Sequence, residues 1–225
     1  MWPLSRKYSA RYRVEDLIPI FSRSNFSKLK AVFIAESPHK DEVSSENPRE
    51  RSPFRGTAGK EWWGALSKIA GDQPISGEIP SREKLLEICF ELGIVVMNAV
   101  QFPLDPKITL HQGHSCDPVE FLGFQKSSGP LGYKAVLKNS DRKNSVNNPV
   151  GEAILDLRMR LEGLKKSNDV SIIVCLGNDS RWFVERAAQG NLDDLKIQTI
   201  PHPSSWWRKA EYRSRALKLL EDLLG

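Results

Sequence analysis

The sequence predicts an α/β fold, a three-layer α/β/α sandwich around a central four-stranded parallel sheet, formed by residues 1–225 as one domain. Three observations predict it. Four short apolar runs alternate with amphipathic stretches of helical period, the order that builds parallel strands joined by right-handed crossovers. The runs are largely continuous rather than alternating, as strands covered on both faces require. A chain of 225 residues with 40% hydrophobic content also fills one core without a second domain.

In chain order, Lys30–Ala35 (KAVFIA) is the first strand and stops at polar residues and proline. Ala58–Ala70 and Ser81–Leu92 read as helices, and Ile94–Ala99 (IVVMNA) as the second strand. The helix expected over Gly151–Lys166 sets Ile154, Leu157, Leu161 and Leu164 on one stripe. Ser171–Leu176 (SIIVCL), a helix over Asp179–Gln189, the strand Lys196–Ile200 (KIQTI) and a closing helix at Arg208–Leu224 complete the order. Two segments stand outside it. Residues 1–29, rich in Arg, Lys and aromatics, are expected to form a peripheral helix or wrap. Residues 102–149, rich in Gly, Ser, Asn and Pro, read as a long loop insertion, and such loops are usually functional or mobile.

Lys and Arg number 33 against 28 Asp and Glu, a net charge of +5. That suits a polyanionic partner, and equally a surface that is merely basic. Cys89, Cys116 and Cys175 lie too far apart for a disulfide framework or a paired-Cys metal site, which points to a reducing compartment such as the cytoplasm. No apolar stretch reaches membrane-spanning length, and Met1–Arg13 lacks the apolar middle of a secretory signal, so a soluble monomer away from the membrane is expected. His111, His114, Cys116 and Asp117 are of metal-ligand type but have no visible second half-site, so no metal is expected. Trp62 and Trp63 sit in a helical stretch, where at least one should pack in the core.

Open parallel sheets bind ligands at the carboxyl ends of their strands. Here the first strand runs into Glu36-Ser37-Pro38-His39, the second carries Asn98 near its end, and the fourth runs into Pro201-His202-Pro203-Ser204-Ser205-Trp206-Trp207, followed by Arg208. A carboxylate and an imidazole on opposite sides of a bound base suit glycosidic cleavage. As that bond breaks the sugar gains positive charge and the base negative charge, and the two groups favour the two developments. A carboxamide reads the polar edge of a pyrimidine, and an aromatic such as Phe54 stacks on its face. Each residue has a plainer use: Glu36 as a helix cap or Arg partner, Asn98 at strand-end backbone, His202 as a loop histidine held by backbone groups.

These residues resemble the uracil-DNA glycosylase superfamily. VFIAESPHKDEV and SPFRGTAG, at Val32–Val43 and Ser52–Gly59, are similar to the first motif of the iron–sulfur bacterial and archaeal type, Gly-Glu-Ala-Pro-Gly with a later acidic residue and then Pro-Phe-x-Gly-x-Ala-Gly. VVMNAV resembles their Asn-bearing strand, and HPSSWW their His-Pro-Ser motif. The resemblance implies a uracil-DNA glycosylase-like fold and a DNA partner. It implies hydrolysis of a base from DNA to leave an abasic site, as in base excision repair, and in the absence of the cluster cysteines no cofactor is expected. It implies Glu36 and His202 as catalytic residues, with Ser37 at the place of the Asp that serves as base in the viral and human-type enzymes. His39, Phe54 and Asn98 would bind the base. Ser204 and Ser205 would meet phosphate, and Trp206, Trp207 or Arg208 would wedge into the duplex, where base stacking contributes roughly 1–3 kcal/mol per base.

The chain departs from the family at Ala35, where relatives have Gly, at Ser37, at His39, and in lacking the cluster cysteines. His39 and the long loop suit a different or larger base, so a glycosylase for hypermodified bases in phage defence is an alternative. A module that binds DNA or a partner without chemistry is a second, and hydrolysis of free nucleosides or RNA a third.

Overall fold

The structure, a computed structural model, describes residues 14–20, 29–38, 42, 47, 50–72, 79–101, 109–110, 114–115, 149–167, 170–190, 192, 194–206 and 208–225. The strands are β1 (Ala31–Ala35), β2 (Ile94–Asn98), β3 (Thr109–Leu110), β4 (His114–Ser115), β5 (Ile172–Leu176) and β6 (Lys196–Ile200). The helices are α1 (Thr57–Ile69), α2 (Arg82–Leu92), α3 (Pro149–Ser167), α4 (Asn178–Ala187) and α5 (Ala210–Leu224), with a 3₁₀ turn at Pro203–Ser205. β1, β2, β5 and β6 form one parallel sheet in the order β2-β1-β5-β6, while β3 and β4 pair antiparallel by themselves. The helices clothe both faces, so the three-layer α/β/α expectation holds.

Alternation along each strand sorts the core into two halves. Ala31, Phe33 and Ala35 of β1 join Ile94, Val96, Val174 and Ile200 in a cluster with α1, α2 and α5, including Trp62, Trp63, Leu66, Leu85, Ile88 and Leu220. Val32 and Ile34 face the other way, toward Leu157, Leu161 and Leu164 of α3 and Phe183 and Val184 of α4. Fully burying one side chain of this size stabilises the fold by roughly 1.5–3 kcal/mol. The stripe Ile154, Leu157, Leu161, Leu164 is buried as its spacing requires.

Helix ends follow local chemistry. Ser81 caps α2 by accepting from the Lys84 N–H, and Gly93 closes it in the left-handed region at φ 66°. α3 begins at Pro149, two residues before the periodic stripe suggests, because proline fits the first helical turn, where its missing N–H has no helical partner to lose. α5 begins at Ala210, two residues later than expected, since the 3₁₀ turn and its continuation occupy the chain through Arg208.

Of the N-terminal 29 residues, Val14 and Leu17 are fully buried. Leu17 exchanges both backbone hydrogen bonds with Val96, at 2.8 and 3.1 Å, and thereby straps the outer edge of β2. Most of the 102–149 stretch lies outside the described residues; within it the two-residue pairing of β3 with β4 and the first residue of α3, Pro149, are described.

Candidate functional site

The strand order reverses direction between β1 and β5: the chain leaves β1 for β2 on one side and returns across it to β5 and β6 on the other. A crevice opens at such a switch point, outside the carboxyl ends of the strands. The register levels those ends. Ala35 pairs with Asn98, Ile34 with Cys175, and Leu176 with Ile200. Glu36, Ala99, Gly177 and Pro201 therefore begin their loops side by side. With strands about 4.8 Å apart, the backbone leaving β6 toward His202 stands roughly 10 Å from the one leaving β1 at Glu36.

On the β1–β2 side, Glu36 is half-buried and its carbonyl accepts from the Val100 N–H at 2.9 Å. The Ser37 hydroxyl is buried with no hydrogen-bond partner. Asn98 is 1% exposed, and its Nδ2 donates to Glu42 Oε2 at 3.2 Å. A carboxylate only accepts, so this contact assigns the amide: nitrogen toward Glu42, oxygen away from it. Asn98 Oδ1 is buried and unpartnered. Leaving such an acceptor unsatisfied costs about 1–3 kcal/mol, which a ligand or water N–H or O–H would recover. Glu42 is itself buried. Sequence reasoning did not single it out, although the later acidic residue of the motif was the signal that could have found it.

On the β6 side, His202 opens the 3₁₀ turn. The Ser204 N–H donates to its Nδ1 at 3.2 Å, and Ser204 Oγ lies 2.8 Å from the same nitrogen. A backbone N–H can only donate, so Nδ1 carries the lone pair and the neutral ring holds its proton on Nε2. The Ser205 N–H and hydroxyl both donate to the His202 carbonyl, at 2.9 and 2.7 Å. Ser205 thus spends its proton inside the turn, while Ser204 and Arg208 are exposed.

Behind this turn runs an aromatic stack. Phe33 meets Trp62 edge-on at 5.0 Å between ring centroids, Trp62 stacks on Phe54 at 5.5 Å, and Phe54 lies 6.0 Å from the His202 ring. Phe54 is therefore brought beside His202, as a buried member of a stack rather than an open platform. It holds φ 62°, which costs a non-glycine residue about 1 kcal/mol, and its carbonyl presses on Gly59 so closely that a Cβ there would fall 1.5 Å from the oxygen.

The wedge assignment of Trp206 is corrected. Trp206 is 1% exposed, its Nε1 donates to the Pro201 carbonyl at 3.0 Å, and its ring lies 6.3 Å from Trp62. Trp206 turns inward because its indole satisfies its N–H on the turn's own backbone. Trp207 and His39 lie outside the described residues. Trp62 and Trp63 are both fully buried and pack in the core.

Other chemistries find little support. Among the described residues no group of three or more His, Cys, Asp or Glu is arranged to hold a metal ion; His111, Cys116 and Asp117 lie outside them. Burial pushes the Cys175 thiol up to about 12 and Cys89 higher still, which leaves neither as a nucleophile at neutral pH. An open cavity of about 470 Å³ on the α5 side of β6, lined by Lys196, Gln198, Arg215, Lys218 and Asp222, involves the far end of that strand from His202. No helix among the described residues is long and apolar enough to cross a membrane. A scan of the sequence against known protein families and against curated proteins finds no match.

Proposed function

We propose that the chain is a DNA glycosylase, a hydrolase that takes an extruded base at the β1–β5 crevice and cuts its N-glycosidic bond. The observation that carries the reading is the level ending of β1, β2 and β6, which gathers Glu36, Asn98 and His202 at one sheet edge. A span of roughly 10 Å between the chains leaving β1 and β6 leaves room for a nucleoside between two side chains that reach inward.

The roles follow from the chemistry of each group. The Glu36 carboxylate stabilises the cationic sugar and accepts a proton from the attacking water. The water oxygen bonds to the anomeric carbon as the bond to the base nitrogen breaks. The electron pair leaves with the base, and His202 Nε2–H donates a hydrogen bond to the oxygen on which that charge collects. Ser204 fixes the tautomer that makes this donation available. Asn98 Oδ1, turned away from Glu42, accepts an N–H from the base edge. Arg208 meets a phosphate at the mouth, which suits the surplus of basic residues. DNA is the partner, the protein works as a monomer in a reducing compartment, and it needs no cofactor.

The test offers the purified protein oligonucleotides bearing uracil, deaminated purines or hypermodified pyrimidines, followed by alkali cleavage at abasic sites. Strand breaks at one of these bases are expected, with losses of 100-fold or more in Glu36→Gln and His202→Ala. Intact strands throughout would defeat the reading.

A further inference from the structure

Arg160 lies in the middle of α3, well away in sequence from every residue of the site, yet its guanidinium ends on the backbone that carries Asn98. Nη1 donates to the Asn98 carbonyl at 2.9 Å and Nη2 to the Ala99 carbonyl at 2.8 Å. The peptide groups that own those carbonyls continue across the sheet. The Ala99 N–H, in the peptide of the Asn98 carbonyl, donates to the Ala35 carbonyl at 2.7 Å. The Val100 N–H, in the peptide of the Ala99 carbonyl, donates to the Glu36 carbonyl at 2.9 Å. Two parallel hydrogen-bond chains thus run from one planar fork, through two consecutive peptides, to the backbone at Glu36.

The fork is braced. Nη1 also lies 3.2 and 3.1 Å from the two oxygens of Asp16, whose side chain is 4% exposed, and Nε donates to Asp156 Oδ2 at 2.8 Å. Asp16 belongs to the segment that straps β2, where the Val14 N–H holds the Gln101 carbonyl. A guanidinium only 12% exposed would be costly without such counter-charges, and an ion pair held this far from water is weak evidence of stability alone. Charge also polarises the peptides it touches, so each relayed bond to β1 is strengthened.

We infer that Arg160 is a positioning residue that fixes the spacing between Glu36 and Asn98, and that Asp16 holds Arg160 to that task. The inference rests on the glycosylase reading for its consequence in catalysis, but its geometry stands apart from it. The planar arginine fork serves two adjacent carbonyls from two nitrogens held in fixed geometry, which the single nitrogen of a lysine on its flexible stem does not reproduce. A displacement near 1 Å in the reacting groups lowers a rate by roughly 100-fold.

The experiment compares the full-length protein with Arg160→Lys and Asp16→Asn. On the base that the wild-type protein releases, kcat in Arg160→Lys should fall by roughly 100-fold while KM stays within about threefold. In the absence of DNA, the Asn98 side-chain amide signals in a ¹H–¹⁵N spectrum should shift. Exchange of the Ala99 and Val100 amides should quicken at least tenfold against those of Ile34 and Cys175 in the same sheet. Asp16→Asn should show the same two spectroscopic changes, and it decides the matter if Arg160→Lys does not fold. Unchanged Asn98 signals with exchange that quickens equally across the sheet would overturn the inference. If the wild-type protein releases no base, the glycosylase reading falls and the spectra still decide the positioning role.

Discussion

The two sides of the strand-end edge are held by different physics. On the β1–β2 side, Glu36 and Asn98 rest on buried charges and backbone hydrogen bonds whose partners, Asp16, Glu42 and Arg160, come from distant parts of the chain. On the β6 side, His202 is oriented by Ser204 and Ser205, two and three residues away, and backed by aromatic rings. The first support is directional and unforgiving of a lost partner; the second is a matter of volume and contact. A polar network sets distances between functional groups, whereas an aromatic wall sets the shape they face.

The contrast is broken most severely by Arg160→Met. It strands Asp16 in the interior and should cost about 3–5 kcal/mol, read as a lower urea midpoint at pH 7. That deficit depends on pH. Burial already pushes the Asp16 carboxyl above its usual range, and Arg160 opposes the push. Without the arginine the native carboxyl rises further, so above the unfolded value the native state binds more protons than the unfolded one. Stability then falls as pH rises through the folded value, and Arg160→Met should recover part of its loss between pH 7 and pH 5. A deficit independent of pH would show that Asp16 is not the stranded group.

Gly59→Ala strikes the aromatic side. Its methyl cannot coexist with the Phe54 carbonyl, so either α1 or the Phe54 turn must move, and a loss of at least about 3 kcal/mol is expected in the same denaturation measurement. Trp206→Phe is milder. It removes the indole N–H from the Pro201 carbonyl and should cost about 1–2 kcal/mol, while salt-dependent affinity for DNA stays within twofold. A large loss of affinity with unchanged stability would restore the wedge role. Ser204→Ala is the smallest: the backbone N–H still holds the imidazole, so a drop of roughly tenfold in base release is expected with little change in melting temperature.

The same contrast explains what the sequence could reveal. Strands, helices and the His202 turn come from contacts a few residues apart, so apolar periodicity, Ser81, Gly93 and the His-Pro-Ser-Ser run announce them. Glu36, Asn98 and His202 were legible because strand ends converge by topology alone. Arg160 was not, since on a helical pattern it reads as one more polar residue beside the Leu157–Leu161–Leu164 stripe, and nothing local reveals that Asp16 waits opposite. Glu42 stayed hidden beside Asp41 for the same reason. Trp206 was misassigned because side-chain direction on an irregular turn has no period to read.

The partnership of Asp16 with Arg160 spans 144 residues. During synthesis at about 5–20 residues per second, the carboxylate is made roughly 7–29 s before its counter-ion. β1 and β2 are complete in that interval, but sealing the strap over β2 would bury a lone negative charge. Closing the Leu17 strap over β2 is therefore favoured only once α3 is in place, because one guanidinium supplies the counter-charge that Asp16 needs there.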